Sequence, residues 1–127
     1  MQHYYDHVTT ITQGPLEIIV DKTWEDLPIR DCFDDSCYDI REMEQQVDQG
    51  YLDWFMLRVR VQLEGVELAA EYLGGLMYED ARDVLKDGVA ADMIAEALHH
   101  AKQRAAELRV TFQNLADEVF TLPAKNA

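Results

Sequence analysis

The chain has 127 residues, 48% of them hydrophobic, and sets 25 Asp and Glu against 11 Lys and Arg for a net charge of −14. The apolar share is enough to build a core and excludes a disordered acidic tail, and the length predicts one domain over 1–122 with a short tail over 123–127. Charge of this size exceeds the roughly 2–8 that keeps a small domain soluble; it repels nucleic acid and anionic membrane and attracts basic protein surfaces.

Residues 3–12 (HYYDHVTTIT) are rich in Tyr, Thr, Val and Ile and predict a strand. Gln13-Gly14 marks a turn, and residues 16–22 put Leu16, Ile18 and Val20 on one face of a second strand, so an N-terminal hairpin is expected. Residues 23–35 have no period, hold Pro28 and five acids, and predict a loop anchored by Trp24, Leu27, Ile29 and Phe33. Ser36 stands three residues before Asp39 in a variant of the capping box. Ile40, Met43 and Val47 then recur at helical spacing before Gly50, which predicts a helix over 37–49.

Residues 51–77 predict a second hairpin. Phe55, Leu57, Val59, Val61 and Leu63 alternate with Trp54, Met56, Arg58, Arg60 and Gln62, and Glu64-Gly65 supplies the turn. A two-residue loop pairs Leu63 with Val66, Val61 with Leu68, Val59 with Ala70 and Leu57 with Tyr72. The other face then sets Arg58 across from Glu71 and Gln62 across from Glu67. Gly74-Gly75 ends or bulges the strand, and residues 79–87 form a short helical stretch. From Val89 to about Glu118 good helix formers predominate, with Met93, Ala97, Ala101, Leu108, Phe112, Leu115 and Val119 tracing an apolar stripe. The order β-β-α-β-β-α-α predicts an α+β fold, a mainly antiparallel four-stranded sheet of two hairpins with helices on one face.

Catalytic and metal chemistry find little support. No apolar stretch approaches the ~20 residues of a membrane span, and MQHYYDHVTT lacks the regions of a secretory signal. A cytoplasmic location with Cys32 and Cys37 reduced is the expectation. His3 and His7 sit four apart on a strand, too far apart to share a metal, and His99-His100 point in different directions on a helix. Asp31, Asp34, Asp35 and Asp39 lack the spacing and central Gly of a calcium loop. No nucleophile elbow or phosphate loop is present. The chain is therefore expected to be no enzyme and to need no cofactor or metal.

The acidity is regional. Residues 21–96 carry 20 acids and seven bases, whereas residues 97–127 carry three acids and four bases. The densest part spans the predicted loop and first helix, and Asp26, Asp31, Asp34, Asp35, Asp39, Glu42 and Glu44 are the expected partner-binding residues. Carboxylates three or four apart on a helix lie about 5–6 Å from each other, a sparser version of the one charge per roughly 1.7 Å of duplex DNA.

Residues 51–78, with WF-x-L-x-V, GVEL, EYLGG and MY, and the preceding FDDSCYDI and DQG, resemble a family of small uncharacterised proteins encoded by phages and mobile elements. In size and acidity the chain is also similar to anti-CRISPR and antirestriction proteins, several of which mimic DNA. That resemblance implies an inhibitor whose partner is a basic protein, such as a CRISPR effector or another nucleic-acid-handling defence protein. Direct nucleic-acid or membrane binding is not expected. The competing expectation is an adaptor module, a homodimer through Trp54 and Met56 or through the C-terminal helix. If a helix covers their face, Trp54 and Met56 are core.

Overall fold

The computed structural model describes residues 4–118; His3, Val119 and the 123–127 tail lie outside the described residues. A single antiparallel sheet runs in the order β1 (Asp6–Gln13), β2 (Leu16–Trp24), β3 (Asp53–Leu63), β4 (Val66–Tyr78). Between β2 and β3 the chain makes a short helix α1 (Ile29–Cys32) and a longer one, α2 (Ile40–Asp48). After β4 come a 3-10 turn (Ala81–Leu85) and the 30-residue helix α3 (Val89–Glu118). The α+β fold and both hairpins are as expected.

Strand β3 organises the sheet because its period of two is unbroken. Phe55, Leu57, Val59 and Val61 are buried and meet Ile18 and Val20 of β2 on one face. Ala90, Met93, Ala97 and Ala101 of α3 close that face, and their small side chains let the helix lie close to the strands. Ala81 and Val84 of the 3-10 turn complete this core. Arg82 ties the turn to β1, its Nη1 donating to the Val8 carbonyl at 2.8 Å. That carbonyl lies at a bulge between His7 and Thr9, which turns Val8 into the core.

The register of the second hairpin differs from the expected one. Leu63 pairs with Val66 and Gln62 with Glu67, but a shift between Val61 and Gln62 then sets Val61 against Ala69, Val59 against Glu71 and Leu57 against Leu73. One extra residue in β4 reverses the face of everything beyond it. Glu71 thus turns to the helix side, and Arg58 lies across from Tyr72. A second irregularity at Gly74-Gly75, opposite Met56, restores the alternation, and β4 runs on to Tyr78. Gly75 adopts φ 71°, and its N–H donates to Glu25 Oε2 at 2.7 Å. A Cβ at Gly74 would stand 2.4 Å from that same oxygen, so the bulge and Glu25 fit each other.

With Glu71 gone, Arg58 and Arg60 find another counter-charge. Asp21 of β2, 4% exposed, accepts from Arg58 Nη2 at 2.7 Å and from Arg60 Nη2 at 2.9 Å. The ring of Tyr5 lies 3.4 Å from the Arg58 guanidinium carbon, a cation–π contact that shields the pair further. The arginine pair is therefore part of the sheet and not a basic contact site.

Tyr78 closes the junction before α3 by donating to Asp87. Burial, then the neighbouring Asp87 carboxylate, pushes its phenol up to about 12.

Removing the Asp21 carboxylate strands two shielded guanidiniums. Asp21→Ala is expected to lower unfolding free energy by about 2–4 kcal/mol, at and somewhat below the roughly 3–5 for breaking a fully buried pair, because the arginines keep some solvent contact. Urea denaturation checks this; a loss below about 0.5 kcal/mol, as for a surface pair, would contradict it.

Candidate functional site

The segment between β2 and β3 forms a lobe on the sheet face opposite α3. Trp54, on the alternate face of β3 from Phe55, is buried with Ile29 of α1 and Ile40 of α2, and Phe33, Met43, Val47 and Met77 pack around them. The Trp54 indole donates to the Leu27 carbonyl at 2.9 Å, which satisfies its one polar atom. Trp54 is therefore core and Met56 half-buried. The helices do not all share one face as the sequence reading had them: α3 covers one side of the sheet, and α1 with α2 covers one end of the other.

Local hydrogen bonds shape the lobe. Asp39, not Ser36, caps α2, its Oδ1 accepting from Glu42 N at 3.1 Å, so the helix begins at Ile40, later than expected. Ser36 instead closes the preceding turn, its N–H donating to Asp34 Oδ1 at 2.9 Å. At the other end Gly50, at φ 82°, completes a Schellman stop, with Gly50 N to Val47 O at 3.1 Å and Tyr51 N to Gln46 O at 2.9 Å. The apolar stripe Ile40, Met43, Val47 turns down onto Trp54, leaving the acids outward.

Of the seven expected partner-binding residues, Asp26, Asp31, Asp34, Asp35, Asp39 and Glu42 are exposed and Glu44 is half-buried. They are not equivalent. Asp34 and Asp39 hold the backbone as described, Asp26 accepts from the Trp24 indole at 2.9 Å, and Glu44 pairs with Arg30 at 2.7 Å. Asp31 lies in the field of Arg30 without a hydrogen bond to it, and Asp35 makes no hydrogen bond or ion pair among the described residues. Glu25, in the same acidic run, is structural through its bond to Gly75. Residues 25–48 together carry nine acids against two bases, a net of −7.

An open depression of about 810 Å³ lies in this lobe, lined by Arg30, Phe33 and the continuous run from Asp34 to Arg41. Its rim includes Tyr38, half exposed and edge-on to Phe33 at 5.0 Å between centroids. Sequence reasoning passed over this tyrosine. Its place just outside the Ile40, Met43, Val47 stripe was the available sign that it faces solvent.

Elsewhere, Glu71, Glu96 and His100 bring ligand atoms within 4.8 Å of one another. His100 Nδ1 meets Glu71, and Nε2 stands 3.4 Å from Glu96. Each ring nitrogen already faces a carboxylate, and the cluster fastens α3 to β4. Cys32 and Cys37 are free and exposed. Among the described residues no helix is long and apolar enough to cross a membrane. Comparison with protein families, curated proteins and solved structures finds no match to this chain.

The bond from Ser36 N, followed by that from its hydroxyl, holds the Asp34 carboxyl below the ordinary aspartate value of 3.8. A lowered value favours the ionised form, so Asp34 keeps its charge as pH falls through the range where an ordinary aspartate is neutralised. Carbon-detected NMR titration is expected to place its midpoint below 3.8, and Ser36→Ala, which keeps the N–H, is expected to retain most of the depression. A midpoint at or above the ordinary value would contradict the geometry.

Proposed function

We propose that this protein is a cytoplasmic, non-catalytic inhibitor or regulator of the anti-CRISPR or antirestriction kind, acting on a basic nucleic-acid-handling protein through the acidic lobe. One observation carries the reading: seven carboxylates, Asp48 among them, stand exposed on a lobe that has its own apolar anchor and a net charge of −7 over residues 25–48. An anchored lobe presents its charges in fixed relative positions, so less ordering is required when a partner binds.

The mechanism is competitive occlusion. Arg and Lys side chains that hold phosphates in a groove accept carboxylates in the same sites, with bidentate geometry available to Arg. Asp39, the N-cap, and Glu42, in the first turn of α2, set two carboxylates three residues apart at one end of the helix. Tyr38 adds an aromatic contact within the charged rim, a residue type enriched at interface cores. Steered association gives fast encounter and strong dependence on ionic strength.

The same geometry decides which substitutions make a clean test. Reversing Asp34 or Asp39 would also damage the turn and the cap, whereas the carboxylates of Asp31 and Asp35 accept no hydrogen bond among the described residues. The experiment is affinity capture from the native host with wild-type and Asp31→Lys/Asp35→Lys baits, at about 50 and 300 mM salt, read by mass spectrometry. The wild-type bait is expected to retain nucleic-acid-binding proteins at low salt and to lose at least tenfold of them at high salt or with the variant, as an interface of several charge contacts requires. Partners retained equally by both baits at both salts would contradict an acidic interface.

A further inference from the structure

Helix α3 outruns the body it packs on. Its buried residues stop at Ala101, and every residue from Lys102 to Ala116 is exposed or half-exposed. The overhang to Glu118 is 17 residues, about 25 Å at 1.5 Å per residue. An isolated helix of this length is marginal in water, and Val110, Thr111 and Phe112 are weak helix formers. Yet the overhang is not polar all round. Beyond Ala101, which is buried, Ala105, Leu108, Phe112 and Leu115 follow at spacings of four, three, four and three, the seam of a two-helix coiled coil. Phe112 is 60% exposed along that seam.

We infer that this overhang is a self-association surface, and that it pairs antiparallel with the overhang of a second copy. The occupant follows from charge. Residues 21–96 of each copy carry a net −13, so two copies repel wherever their bodies approach. The overhang, with Lys102, Arg104 and Arg109 against Glu107, Asp117 and Glu118, is neutral and is the place where copies meet without that penalty. Antiparallel pairing sends the two bodies, with their like charge, to opposite ends. Parallel pairing would bring the bodies together and place Arg104 against Arg109 of the second copy at flanking seam positions. Helix dipoles favour the antiparallel arrangement as well.

Two helices in contact over about 25 Å make an interface at the small end of stable ones, so a reversible dimer in the micromolar range is expected. Its consequence is bivalency: two acidic lobes held well apart on one particle gain avidity only for targets whose basic sites are similarly spaced. The inference itself does not rest on the inhibitor reading.

The test is sedimentation equilibrium of the full chain from about 1 to 200 μM. Wild type is expected to move from one chain to two across that range, while Leu108→Arg and Phe112→Glu remain single chains with unchanged thermal unfolding of the body. Orientation is read by double electron–electron resonance with a spin label at Gln103→Cys in a Cys32→Ser/Cys37→Ser background. An antiparallel pair puts the two labels about 20–30 Å apart along the axis, a parallel pair within about 15 Å. Wild type that stays a single chain throughout overturns the inference, even if the overhang captures some other protein. Dimers that survive both substitutions, or a short label distance, overturn it equally.

Discussion

The rest of the molecule depends on the uninterrupted alternation of β3. Because successive side chains leave opposite faces, one eleven-residue strand commits Phe55, Leu57, Val59 and Val61 to the helix side and Trp54 to the other. The first set buries α3 and the 3-10 turn. Trp54, with Met77 of β4 beside it, gives α1 and α2 an apolar seat. Without that seat a segment with nine acids in 24 residues would have little reason to order. The acidic lobe is therefore a property of the sheet as much as of its own sequence.

Charge is divided the same way. Inside the sheet, Arg58 and Arg60 share the one Asp21 carboxylate, so this basic pair is engaged within the fold. On the lobe, only Arg30 and Arg41 stand against the acids, and Arg30 is bound to Glu44. On the overhang of α3, residues 102–118, the charges balance. The lobe thus holds −7 of the net −14 within 24 residues, whereas the helical arm over 102–118 is neutral, so repulsion is not spread evenly along the chain. This separation also assigns the two proposed contacts to different physics: carboxylates for a basic partner, and an apolar seam for a second copy.

Much of the fold was legible because periodicity reports burial directly. Both hairpins, their turns and the span of α3 follow from alternation, Gly-containing turns and an unbroken run of helix formers. The register of β4 was not legible, since a bulge depends on tertiary fit: residues 66–73 contain no Gly or Pro to mark the extra residue. That single slip moved Glu71 from Arg58 to His100 and handed the arginines to Asp21, a partner 37 positions away from Arg58 that no local pattern suggests. The start of α2 was misplaced for a simpler reason. Ser36 and Asp39 both suit a cap, and the choice turned on Asp34 occupying the Ser36 N–H first. Of the acidic residues, exposure was readable from composition, but the structural duties of Asp34, Asp39 and Glu25 were not.

The lobe between β2 and β3 is the surface we propose for contact with a positively charged partner. NMR titration of the isotope-labelled chain with a short arginine-rich peptide measures this most directly, because every backbone amide reports. Shifts are expected to concentrate between Asp26 and Glu44, to include Tyr38, and to fade as salt is raised. Shifts of similar size around Glu17, Glu64, Glu67 and the 79–87 segment would show a diffuse negative surface instead, and the claim would fall.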